Sequence, residues 1–131
     1  MQRGGDTVQT LILLHDRLAT TMTLYALFLG LWGLYKYVRG EGLDGNYLGA
    51  IIVAEVLIIV QALLGFALFG GGLRPARLVH ILYGIMAVIS FPATYAYTRG
   101  DDSRRVMLIW GLVGLFVFGL AVRAQMVQGA L

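Results

Sequence analysis

The 131-residue sequence predicts an all-α membrane protein, one four-helix up-down-up-down transmembrane bundle, and three observations carry that expectation. The chain is 59% hydrophobic and 13% charged, with a mean hydropathy of +0.79. Globular domains average about 25% charged, so this chain has too little polar surface to face water all round. Long apolar segments fall at about 9–38, 47–70, 76–98 and 104–127, and each exceeds the roughly 20 residues a span requires. The connections RGEGLDGN, GGGLRP and RGDDS are short, which forces consecutive helices to reverse and pack side by side. Residues 1–131 therefore read as a single domain, with no room for a water-soluble catalytic one.

The first segment is too long for a signal-peptide core and lacks a small-residue cleavage site after a short apolar stretch, which marks a retained span. The second runs from RGEGLDGN to the glycine-rich GGGLRP. In the third, Pro75 suits the first turn, where a missing N–H is harmless, and Pro92 is expected to bend the helix near its far end. The fourth brings the C-terminus back to the side of the N-terminus. Gly30 with Gly33, and Gly111 with Gly114, lack full GxxxG spacing and read as close-packing positions.

With no cysteine, disulfides, thiolate metal sites, thiol nucleophiles and CxxCH haem attachment are excluded. A net charge of +3, scattered without a cluster, argues against nucleic acid. Let side A hold both termini and side B lie opposite. Side A carries Arg3, Arg74, Arg77 and the nearby Arg123, and side B carries Lys36, Arg39, Arg99, Arg104 and Arg105. This slight excess puts side B in the cytoplasm and both termini outside it. Trp32, Tyr35, Tyr37, Tyr47, Tyr95, Tyr97 and Trp110 all fall near side B and read as an interfacial aromatic belt.

His15 and His80 are the only histidines. One lies about six residues inside the first helix and the other about five inside the third, so at about 1.5 Å per residue both sit roughly 7–9 Å below side A. The first and third helices run parallel on a diagonal of the bundle, leaving a central gap for both imidazoles. Two neutral imidazoles can supply both axial ligands of haem b iron, while Ala19 and Gly84, one turn further along, leave room for a flat macrocycle. Arg17, Arg74, Arg77 and Arg123 can pair with haem propionates, and Gln61 can bond a ligand histidine or a propionate. The plainer alternatives are histidines satisfied by backbone carbonyls or interfacial water, and arginines reaching to lipid headgroups. Glu55, about 12 Å from side B, is either protonated and bonded across helices or part of a proton path.

The stretch HDRLATTMTLYALFLGLWGLYKY, together with VLIIVQALLGFALFGGGLRPARLVHILYGIMAV, resembles one half of a heme A synthase, a membrane family built from two related four-helix bundles. The resemblance covers about two-thirds of the chain. It implies that His15 and His80 are haem ligands and that the pocket lies toward the outer face. The family's glutamate three residues before the ligand histidine is replaced here by Ile12, and Asp16 intervenes before Arg17.

The expected function is that of a b-type cytochrome-like subunit carrying electrons in a respiratory or photosynthetic complex. The alternatives are a short heme A synthase-like enzyme acting on haem O, and a structural subunit or one binding bacteriochlorophyll. The expected setting is a bacterial inner membrane, with lipid and either other membrane subunits or a second copy as partners.

Overall fold

The computed structural model describes residues 2–72 and 78–128, with side chains from residue 5 to residue 127. Four helices, α1 (Gln2–Val38), α2 (Gly45–Gly70), α3 (Val79–Thr98) and α4 (Arg104–Gln128), are its regular elements. All four are long and apolar enough to cross a membrane, which defines an all-α transmembrane bundle. α1 packs against α2 and α4, α3 packs against the same two, and α1 and α3 are diagonal, as the short connections require.

Two boundaries differ from the sequence expectation. α1 starts at Gln2 rather than near residue 9, because no proline stops it and intrahelical bonds satisfy its backbone whether the side chains are polar or apolar. Its 37 residues extend about 55 Å, well beyond a hydrocarbon core of about 30 Å. α3 starts at Val79, so His80 is its second residue, not its fifth. Pro75 lies outside the described residues, and α3 continues through Pro92 to Thr98.

The two seams of α1 have a consistent antiparallel register. Between α1 and α2, Gln61 Nε2 donates to the His15 carbonyl (2.7 Å), Tyr25 Oη to the Ala50 carbonyl (2.8 Å) and Tyr47 Oη to the Leu29 carbonyl (2.8 Å). Steps up α1 match steps down α2 to within one residue. In the α1–α4 seam, Gly30 meets Gly114 and Gly33 meets Gly111, backbone against backbone, while Gln125 Nε2 reaches Thr23 Oγ1 at 2.6 Å. The four glycines are packing positions, as their sequence placement suggests.

Leu29, Tyr47, Met107, Trp110 and Val117 form the fully buried centre, and Phe91 stacks on Trp110 with ring centroids 6.3 Å apart. The aromatic belt is therefore only partly a belt. Tyr35, Tyr95 and Tyr97 are exposed, but Tyr47 and Trp110 belong to the core, and a carbonyl within reach of the Tyr47 hydroxyl makes that burial tolerable. Outward faces carry Leu24, Phe28, Ile52, Val56, Leu63, Ile85, Ile89 and Phe116, a surface compatible with lipid.

At side B the loops are stitched together. Leu43 N–H donates to the Asp102 carbonyl, and the Arg104 guanidinium lies over the Tyr37 ring and donates to the Tyr37 carbonyl. Lys36, one of the side-B cations, has a side chain only 5% exposed, with Nζ 2.7 Å from Asp44 Oδ2 and 3.6 Å from Glu41 Oε2. The two carboxylates offset the cost of burying its charge.

Candidate functional site

His15 and His80 meet across the bundle. Their ring centroids are 6.1 Å apart with planes at 72°. His15 is buried and His80 half-buried. Because a carbonyl only accepts, His80 Nδ1 must be the protonated nitrogen that donates to the Ala124 carbonyl at 2.8 Å, which leaves Nε2 with a free lone pair. His15 Nδ1 is buried without a hydrogen-bond partner among the described residues, and so is Gln61 Oε1.

All four helices contribute to this layer: His15 from α1, Gln61 from α2, His80 from α3, and the Ala124 carbonyl from α4. The Gln61 side chain bonds the His15 backbone and so sets the height of α1 against α2. Gly65 stands one turn beyond Gln61, where an added Cβ would lie 3.3 Å from His15 Cε1. This glycine gives the imidazole its room. Next to Gly84 the space is open, with no atom within 4 Å of a built Cβ. Ala19 is buried, and its carbonyl accepts from Thr23 and more distantly from Gln125, so it serves the α1–α4 seam. Arg17 and Arg123 are exposed, while Arg74 and Arg77 lie outside the described residues. Glu55 is half-buried, and its Oε1 finds no partner among the described residues; the expected cross-helix bond is not seen at that oxygen.

Gly65 and Gln125 were not singled out from sequence. An amide beside the apolar run of α4 was the signal for Gln125. Gly65 gave none, since glycine is common in membrane helices.

Among the described residues no three His, Cys, Asp or Glu side chains converge. Two imidazoles suit a metal that brings its own equatorial donors. With metal–nitrogen bonds of about 2.0–2.1 Å and about 1.1 Å from nitrogen to ring centre, two imidazoles across one metal have centroids about 6 Å apart. The observed 6.1 Å agrees. Two imidazoles at this separation are a donor pair of the kind that two axial positions of one metal require.

A second polar feature, a cleft of about 640 Å³ at side B lined by Trp32, Lys36, Glu41, Asp44 and Asp102, has its cation already paired. Fold and site together define a four-helix membrane protein with facing histidines on its diagonal helices. No family model, curated protein or solved structure matches the chain.

Proposed function

We propose that this protein is a b-type cytochrome-like membrane subunit whose His15 and His80 hold one haem for electron transfer. The imidazole pair 6.1 Å apart on diagonal helices carries the reading. Bound haem supplies one-electron redox chemistry between ferric and ferrous iron. The chain's part is to position the ligands and exclude water: the Ala124 carbonyl orients His80, and Gln61 fixes the height of His15. Arg17 and Arg123 are the described cations placed toward side A to pair with propionates. The likeness to half of a heme A synthase supports haem binding, and Ile12 in place of that family's glutamate favours electron transfer over chemistry on haem O. Magnesium of a bacteriochlorophyll needs one axial histidine, so a facing pair favours iron. With one site near side A, electrons enter and leave by that side or through a neighbouring subunit.

Oxidised and reduced absorption spectra of the purified protein test this. A low-spin b-type spectrum is expected in the wild type, with impaired haem binding in both His15→Ala and His80→Ala. A magnesium pigment, or no pigment in protein made with ample haem, overturns the proposal, as does normal low-spin haem in both variants.

The expected setting is a bacterial inner membrane with side A outside the cytoplasm. Cysteine at Gly5 should react with an impermeant reagent in intact cells, and cysteine at Gly45 only after permeabilisation. Both positions have open space around a built Cβ. Labelling at Gly45 alone in intact cells reverses the orientation.

A further inference from the structure

Glu55 is the one acidic or basic side chain of α2. It lies ten residues after Gly45, about 15 Å along the helix, at a level that lipid hydrocarbon surrounds. Its Oε1 is buried without a hydrogen-bond partner, and no charged group among the described residues acts on the carboxyl. Leaving such a group unbonded in hydrocarbon is costly. The residue is only half-buried and stands at the edge of an exposed apolar strip. Ile52 and Ile59, one turn to either side, are 58% and 42% exposed, and Ala62 and Phe66 continue the strip along α2. Positions 52, 55, 59, 62 and 66 alternate steps of three and four residues, so they share one helix face of the kind that a second helix covers.

We infer that this strip of α2 is an interface with a second copy of the chain, closed near its centre by Glu55 against Glu55 of the partner subunit. A twofold axis along the membrane normal sets the two α2 helices parallel and puts each carboxyl at the depth of the other. In its protonated form a carboxyl donates from one oxygen and accepts at the other, so two of them satisfy each other. That form is also the one hydrocarbon tolerates. Lipid chains offer no such partner, and the headgroups where α2 starts are about 15 Å away, beyond the reach of a glutamate. A different membrane protein would need its own donor at this depth, whereas a second copy carries one by symmetry. Helices associate in membranes through close apolar packing with a polar group as the adhesive, and Ala62 lets the two backbones approach.

The chain has no cysteine, so an introduced one reports the interface without background. In membranes, Ile59→Cys should give a disulfide-linked dimer on oxidation, and Phe116→Cys, exposed on α4, should not. Fluorescence energy transfer between full-length chains in phosphatidylcholine vesicles should show reversible association. Glu55→Leu should weaken it about tenfold, the scale of one or two interhelical hydrogen bonds. Glu55→Gln should keep it, because an amide also donates and accepts. Circular dichroism of Glu55→Leu should match wild type, since leucine suits a lipid-facing surface. Association that is unchanged in Glu55→Leu overturns the inference, as do chains that stay monomeric with lipid alone on this face. Linkage through Phe116→Cys in place of Ile59→Cys overturns it too, and so does linkage of Ile59→Cys only to another protein. None of these readouts depends on haem, so the reading of the histidine pair stands or falls separately.

Discussion

Leucine at Gly114 is expected to prevent the bundle from assembling. A Cβ built there lies 2.7 Å from Gly30 N and 2.8 Å from Gly30 Cα, backbone atoms that cannot move without moving α1. One at Gly33 lies 2.8 Å from Gly111 Cα and from the Tyr47 hydroxyl, and one at Gly111 lies 2.8 Å from Leu34 N. Overpacking usually costs about 1–3 kcal/mol when side chains give way, and here two helix axes must separate, so Gly114→Ala should reach the top of that range and leucine exceed it. Better helix propensity returns only about 0.5–1 kcal/mol. Gly49 and Gly119 are the controls: a Cβ there meets nothing within 4 Å, so alanine should be neutral or slightly stabilising. Thermal unfolding in detergent, followed by circular dichroism, separates the two groups. If Gly114→Ala melts with Gly119→Ala, the α1–α4 contact is not as close as described. Damage here should also reach the histidine pair, because α1 carries His15 and α4 holds His80 through Ala124.

Helix number, order and most boundaries were legible because 20-residue apolar runs and short turns leave few alternatives. The histidine pair was legible for the same reason: short loops make α1 and α3 diagonal, and two imidazoles at similar depth on a diagonal face each other. What stayed hidden depends on which side of a helix faces lipid and which faces protein. In a membrane both are apolar, so hydropathy scarcely distinguishes them. Tyr47 and Trp110 therefore looked like belt residues although they are core. Gly65 and the Ala124 carbonyl were hidden at another level, since one acts by lacking a side chain and the other is backbone. The burial of Lys36 depends on carboxylates that a loop folds over it, and no helical periodicity encodes that.

That buried lysine yields a pH-dependent expectation for Asp44. Asp44 performs two tasks: Oδ2 takes the Lys36 ammonium, and Oδ1 caps α2 by accepting from Tyr47 N–H at 2.8 Å. The Lys36 hydrogen bond first, then the Tyr47 amide, hold its carboxyl below the ordinary range. Asp44→Asn keeps a good cap and removes the charge, so it isolates the ion pair. Breaking a fully buried pair costs about 3–5 kcal/mol, but Asp44 is half exposed and Glu41 remains 3.6 Å from Lys36, so a loss of about 1 kcal/mol is expected at neutral pH. Because the folded value lies below the unfolded value of about 3.9, the advantage of wild type is complete above about pH 5 and disappears as pH falls through the lower, folded value. Unfolding of the two proteins compared between pH 7 and pH 2 should show that convergence. Adding Lys36→Met to Asp44→Asn should recover most of the loss, since it removes the charge left without its main partner. A gap that stays constant down to pH 2, or a double variant weaker than Asp44→Asn alone, would show that Asp44 stabilises the protein as a cap and not through Lys36.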